Sequence, residues 1–407
     1  MTLSRHSDPA QPEKNLVLDP CLRRQASVRR PQDDEGTRPQ DDGEGMHVRM
    51  AMGSVVMRIK NLILKNFRNF ESFDVEFSPT RTLIVGPNGV GKSNILEAIY
   101  LLASGDSNRA TKEEEVIRFG AEFAKVVGTI SSEKGEEENL DLTLTVSPER
   151  RLTKVAKVNG VKRNLNQLVG ELKSVEFNPA NLDLVNGSPE VRRRYLNSVA
   201  SQVSREYREA LSGYEKIRKQ KNSLLSQIQE GIASPEHLDL WNEKMLEYGT
   251  TVQKTRREYF AFLAKNVTRV VFDYLISEIS KERLAIFKET EIAAGVSLIG
   301  PHRDDFSFSG DTNGRGEIRN LALFGSRGQE RLAVFELKLG EIGYFKEKTG
   351  SRPVLLLDDI FSELDETHRH EVLSRIEPES AEQVIFTATD ESTVGEANLS
   401  AMKVIKL

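Results

Sequence analysis

One octapeptide restricts the fold of this chain more than any other feature: Gly86-Pro87-Asn88-Gly89-Val90-Gly91-Lys92-Ser93 matches G-x-x-x-x-G-K-[ST]. Such a loop cradles phosphate only when a strand runs into it and a helix leaves it, because the backbone N–H groups of the loop act together with the positive helix N-terminus. Both flanks are present. Thr82-Leu83-Ile84-Val85 reads as a short apolar strand, and Ile95, Leu96, Ile99 and Leu102 recur at helical spacing over 94–103. Lys92 is then expected to reach the β- and γ-phosphates, and Ser93 to offer its hydroxyl to Mg²⁺. ATP and Mg²⁺ are the expected ligands, and an α/β fold built on a parallel sheet is the expected class.

Pro353-Val354-Leu355-Leu356-Leu357-Asp358-Asp359 is an apolar strand ending in two carboxylates. At the carboxyl edge of the same sheet, Asp358 would serve as the metal-side acid and Asp359 as the base that polarises attacking water. Ser326-Arg327-Gly328-Gln329, just before a helix, brings small residues and free N–H groups to a helix N-terminus. Taken alone it is only a cap.

The rest of the chain organises around these strings. Residues 1–56 mix Pro, Asp, Glu, Gln and Arg with few branched apolar residues and read as a disordered tail, with Met57 a candidate translation start. From Met57 apolar and polar residues alternate as in half-buried strands, and Asn159-Gly160 between apolar residues signals a hairpin in a small β-subdomain. Residues 57–180 are assigned to the N-terminal part of an ATPase head and 181–295 to an inserted helical lobe, rich in Glu, Lys, Arg, Gln and Leu. The C-terminal part of the head occupies 296–407.

Composition removes several alternatives. A net charge of -5 over 407 residues is unlike a basic nucleic-acid coat, so DNA binding would rest on a local patch. Arg192, Arg193, Arg194, Lys216, Arg218, Lys219 and Lys221, on predicted helices, are the candidate phosphate contacts, although Glu190, Glu206, Glu209 and Glu215 stand among them. The single cysteine, Cys21, forms no internal bridge, and no Cys/His cluster has zinc spacing. No apolar run approaches the roughly 20 residues of a membrane span. A reducing, cytoplasmic location is expected.

The order of phosphate loop, long insert, Ser-x-Gly-Gln, acid-tipped strand and Ser362-Glu363-Leu364-Asp365 resembles that of ABC-type ATPase heads related to SMC proteins. Leu64-Lys65-Asn66-Phe67-Arg68-Asn69-Phe70, Gly187-Ser188-Pro189, Leu298-Ile299-Gly300-Pro301-His302-Arg303-Asp304-Asp305 and Leu356-Leu357-Asp358-Asp359-Ile360-Phe361 narrow the resemblance to the RecF family of bacterial recombination-repair ATPases. At 180 and 181, where relatives tend to carry acids, this chain has Ala180 and Asn181.

The resemblance implies an ATP-dependent homodimer that binds gapped DNA and helps RecR and RecO place RecA in repair, replication and the SOS response, with slow DNA-stimulated ATP hydrolysis as the release switch. It also implies that Ser326 to Gln329 complete the ATP site of the other subunit. Ser362, Glu363, Leu364 and Asp365 would line the dimer interface, and Arg68 and Asn69 would lie beside the nucleotide. His302 and Arg303 are read as structural loop residues. An SMC-like chromosome-organising head is the first alternative, but its long coiled coil exceeds the insert here. A membrane transporter's ATPase subunit is the second, and the Phe-Arg-Asn and Ser-Arg-Gly-Gln strings argue against it.

Overall fold

Alternating apolar and polar residues from Met57 onward build the first sheet, and buried Ile59, Leu62, Leu64 and Phe67 mark its inner face. The computed structural model describes residues 57–131, 136–149, 151–359, 383–391 and 402–407. The expected tail with Cys21, and the expected interface turn Ser362, Glu363, Leu364 and Asp365, lie outside the described residues.

In chain order the head begins with β1 (Arg58–Phe67), β2 (Phe70–Glu76), β3 (Arg81–Val85) and α1 (Lys92–Ser104). Next come β4 (Phe123–Ser131), β5 (Glu137–Val146), β6 (Leu152–Val158), β7 (Val161–Arg163), the single turn α2 (Leu165–Leu168) and β8 (Ser174–Phe177). After a further turn, α3 (Asp183–Asn186), the lobe supplies α4 (Pro189–Val203), α5 (Arg205–Gln229), α6 (Leu238–Asn266), β9 (Val271–Leu275) and α7 (Lys281–Ala294). The chain returns through β10 (Asp305–Asp311), β11 (Ile318–Asn320), α8 (Leu321–Phe324), α9 (Arg327–Thr349), β12 (Val354–Leu357), β13 (Val384–Ala388) and β14 (Lys403–Lys406).

Three sheets form among the described residues. The antiparallel one runs β2-β1-β4-β5-β6-β7, and the Asn159-Gly160 turn closes its β6–β7 hairpin with φ of 51° and 76°, as a two-residue turn with both φ positive requires. The second, β14-β3-β13-β12-β8, pairs in parallel throughout. Its inner strands β3, β12 and β13 are buried on both faces, which explains why they read as largely apolar runs instead of alternating ones. One face packs on α1 and the antiparallel sheet through Ile84, Ile95, Ile99, Leu356 and Ile385. The other meets α4, α6 and α9 through Leu83, Leu196, Leu263, Leu337 and Leu357. Buried Gln383 ties the two sheets together, accepting from Ile59 N at 2.9 Å and donating to Ile59 O at 2.8 Å and Ser78 O at 2.7 Å.

The lobe expected at 181–295 differs from a purely helical insert. β9 falls within it and pairs with β10, giving a third sheet, β11-β10-β9, that stitches lobe to head. The strand is short and half exposed, so its alternation is weak beside the charged helices around it. A buried polar hub reinforces the junction. Arg256 donates to Asp304 Oδ2 and Pro301 O, each at 2.7 Å, and to Asn197 Oδ1 at 2.8 Å. Asp304 also accepts from Gln253, Tyr274 and Ser277 N, so every oxygen lone pair of this buried ion has a donor nearby.

Candidate functional site

The phosphate loop leaves β3 and closes on α1, as its sequence requires. Gly91 has φ 118°, and a Cβ there would lie 2.6 Å from Phe70 Cζ and 2.8 Å from the Asn69 amide, so both conformation and space demand glycine. Lys92, only 7% exposed, donates through Nζ to Gly86 O at 2.7 Å and Pro87 O at 3.0 Å, which holds its ammonium against the loop. Pro87, Asn88 and Gly89 are exposed at the turn, with Val90 half-buried behind them.

The two residues expected beside the nucleotide divide into different roles. Asn69 grips the loop itself, donating to Val90 O at 2.8 Å while accepting from Asn94 at 2.8 Å. Arg68 turns the other way. Its guanidinium makes two bonds to buried Glu97 of α1, at 2.9 and 2.5 Å, and a third to Glu115 O at 2.8 Å. It braces the helix behind the loop, with each of its three guanidinium nitrogens engaged there. Sequence alone left this undecided, because the partner acid lies 29 residues away on another element.

The parallel sheet brings the acid-tipped strand to the loop. Ser93 Oγ donates to Asp358 Oδ1 at 2.7 Å across 265 residues of sequence. Thr387, at the end of β13 between β3 and β12, donates to the same Oδ1 at 2.8 Å and accepts from Asp359 N at 2.9 Å. Asp359 therefore sits in the left-handed region, φ 49°, fixed by a side chain of the neighbouring strand. Thr387 was missed by sequence reasoning. Its signal is a hydroxyl residue closing an apolar strand, which acquires meaning only once that strand is known to lie beside β12.

A hydroxyl and a carboxylate oxygen in contact form the donor set suited to a hard cation that keeps water and phosphate oxygens as its remaining ligands. Ser93 and Asp358 thus fit Mg²⁺. On the adjacent strand β8, Glu176 was also missed; it is an acid on a fully buried strand and is 1% exposed. Burial pushes its carboxyl up to about 8, with Asp358 adding to the rise and Lys338 opposing it.

Ser326 caps α9 in a reciprocal box, its Oγ accepting from Gln329 N at 3.3 Å and its N donating to Gln329 Oε1 at 2.8 Å. Ser326, Arg327 and Gly328 are exposed, and open space surrounds the Gly328 Cβ position. The exposed face of this cap is therefore open to a partner.

The basic residues do not form one uniform face. Lys221 is 0% exposed and bonds to buried Glu291 at 2.6 Å, so it is a core ion pair and no DNA contact. Arg192 is occupied by Asp305 in a two-pronged pair at 2.6 and 2.9 Å and by Gly187 O at 2.8 Å, which makes it part of the lobe–head junction. By contrast Arg193, Arg194 and Arg218 line a cleft of about 510 Å³ together with His302 and Arg303, while Lys216 and Lys219 stand exposed on α5. Arg194 and Arg218 share ion pairs with Glu190 and Glu215 on their own helices.

His302 is structural as expected: Nδ1 accepts from Tyr214 OH at 2.7 Å and Nε2 donates to Ser297 O at 3.0 Å, an arrangement for the neutral ring. Burial lowers its pKa to about 4, partly opposed by the Ser297 bond. Neutral in the fold but protonatable when unfolded, it contributes stability that is full above about 6.5 and is lost as pH falls toward 4. Denaturation midpoints of the parent and His302→Gln should therefore converge over that window. A gap of constant size from pH 7 to 4 would contradict this reading.

A profile of the RecF/RecN/SMC N-terminal domain matches residues 58–406. The DNA replication and repair protein RecF of Halalkalibacterium halodurans is 34% identical over 380 residues, covering 85% of this chain and 99% of that protein. The corresponding RecF of Listeria monocytogenes serotype 4b is 35% identical over 358 residues, covering 82% and 94%. A solved structure of the recombination mediator protein RecF with ATP in the RecFOR pathway superposes with a TM-score of 0.75 at 31% identity, covering 84% of this chain and 94% of the other. Among the described residues, no helix is long and apolar enough to cross a membrane.

Proposed function

The chain belongs to the RecF family, and on that footing we propose that it is an ATP-dependent DNA-binding protein of recombinational repair and replication, closed into a homodimer by ATP at gapped DNA. The observation that carries the reading is the 2.7 Å bond from Ser93 to Asp358, because it joins the phosphate loop and the acid-tipped strand into one site at the carboxyl edge of a parallel sheet. The family's nucleotide, ATP, fits the loop, and RecR, RecO and indirectly RecA are the partners the relationship suggests. A cytoplasmic location accords with this.

The reaction is slow transfer of the γ-phosphoryl group to water, stimulated by DNA. Ser93 and Asp358 would hold Mg²⁺, which would supply positive charge to the phosphate oxygens. Lys92 adds a fixed positive charge to the same oxygens, and the loop N–H groups orient them. Asp359 accepts the proton of the attacking water, and its backbone, pinned by Thr387, keeps that carboxylate beside the metal-side acid. Hydrolysis then opens the dimer. DNA phosphates are expected along the cleft of Arg193, Arg194 and Arg218 with Lys216 and Lys219, the cations that remain after Arg192 and Lys221 are removed from the set. Binding to gapped, single-stranded and blunt duplex DNA, each with and without ATP, tests the reading; ATP-independent affinity equal for all three would reject it.

The outward-facing Ser326 cap is the part that a second subunit would use. Lys92→Ala and Ser326→Arg chains should each be inactive alone. Mixed in equal amounts they should recover roughly a quarter of parental ATPase, since half of the randomly paired dimers carry one intact composite site of two. Mixed dimers demonstrably formed without recovery would show that the loop does not act across subunits.

A further inference from the structure

Beside β8, between α1, α4 and α9, lies a cavity of about 450 Å³ whose walls include Tyr100, Asn108, Glu176, Asn178, Tyr195 and Lys338. Four buried oxygen atoms in this one cavity have no hydrogen-bond partner: Oε1 and Oε2 of Glu176, Oδ1 of Asn108 and Oδ1 of Asn178. All four are assigned as acceptors.

The hydroxyl donors of the wall are turned elsewhere. Ser104 donates to Tyr100 O and Ser107 to Glu97, while the hydroxyls of Tyr100 and Ser198 pair with each other, as do those of Tyr195 and Tyr259. The neighbouring charges are also partnered. Arg109 bonds to Asn94, Arg194 to Glu190, Lys338 to Glu341, and Asp106 to Lys154. Glu176 is left as the buried acid of the cavity with no well-aligned hydrogen bond to either oxygen, only the Asn178 side chain standing near it, and its ionised form is costly there unless something supplies donors and charge.

The occupant that complements this wall carries positive charge and several N–H groups. One carboxylate with two neutral amides is a poor cage for a divalent metal, which favours more oxygen ligands and charge. The volume lies within the range of small-molecule pockets, about 300–1,000 Å³. We propose that this cavity is a binding site for a small N–H-rich organic cation, an alkylamine or alkylguanidine, with Glu176 as its counter-charge and Asn108 and Asn178 as further acceptors. Its proposed contacts, Glu176, Asn108 and Asn178, are none of the groups assigned to the nucleotide, so it stands or falls independently of the ATP reading.

Calorimetric titration of the full chain, without nucleotide, with putrescine, agmatine and potassium chloride at matched ionic strength provides the test. At least one of the amines should bind saturably and raise the melting temperature, whereas the salt should do neither. Glu176→Gln, shown to be folded by circular dichroism, should weaken that binding at least tenfold, and Lys92→Met should leave it unchanged. If Glu176→Gln does not fold, Asn108→Leu should weaken the same binding several-fold, and crystals soaked with the amine should show it against Glu176. Absence of saturable binding by both amines, undiminished binding in folded Glu176→Gln or in Asn108→Leu, or only water in the cavity of soaked crystals would each overturn the proposal.

Discussion

Replacing Lys92 by Met should lower ATP turnover by about 10²-fold or more, the scale of removing a preorganised charge from a transition state. The fold should survive. Met keeps much of the apolar stem that is buried at the start of α1, and the losses are the two bonds from Nζ to Gly86 O and Pro87 O. Their removal costs about 1–3 kcal/mol at most, because each carbonyl loses a partner at a partly exposed loop. ATP-induced dimerisation should fall with turnover, since the same ammonium neutralises the phosphates of the bound nucleotide. Steady-state ATPase and sedimentation, both unchanged in a folded Lys92→Met protein, would refute the assignment.

Asp359→Asn should also slow ATP cleavage by about 10²-fold or more, but with the opposite effect on assembly. The structure makes this the cleanest substitution available at the position. Asp359 occupies the left-handed region at φ 49°, which Asn tolerates well and β-branched residues do not, and its N–H bond to Thr387 Oγ1 is unaffected by the side chain. ATP should still bind and draw two heads together, so the variant should accumulate as a long-lived dimer and leave DNA slowly. Asp358→Asn should differ, because it removes charge from the oxygen that receives both Ser93 and Thr387 and thereby weakens Mg²⁺ and assembly. Single-turnover cleavage, dimer fraction and DNA dissociation separate the two. Parental cleavage in Asp359→Asn would remove the base, and slow cleavage without a persistent dimer would break the link between hydrolysis and release.

Chemistry that depends on neighbours along the chain was legible in the residue order. A phosphate loop is eight consecutive residues, a helix face recurs within a turn or two, and a two-residue hairpin is signalled by Asn-Gly; all are local, so α1, β3, β12 and the β6–β7 turn were legible before any fold was known. Family-specific strings extended this to the ATPase head and its class of function. Which charges are available became clear from the folded arrangement alone. Arg192, Arg194, Lys219 and Lys221 look alike on helices charged all round, yet burial against Asp305 and Glu291 turns Arg192 and Lys221 into internal pairs, while Arg194 and Lys219 remain at the surface. The same holds for Arg68, claimed by Glu97, and for Thr387, which matters because β13 is inserted between β3 and β12. The physical reason is that desolvation and pairing are properties of three-dimensional neighbours, and a parallel sheet makes neighbours of strands hundreds of residues apart.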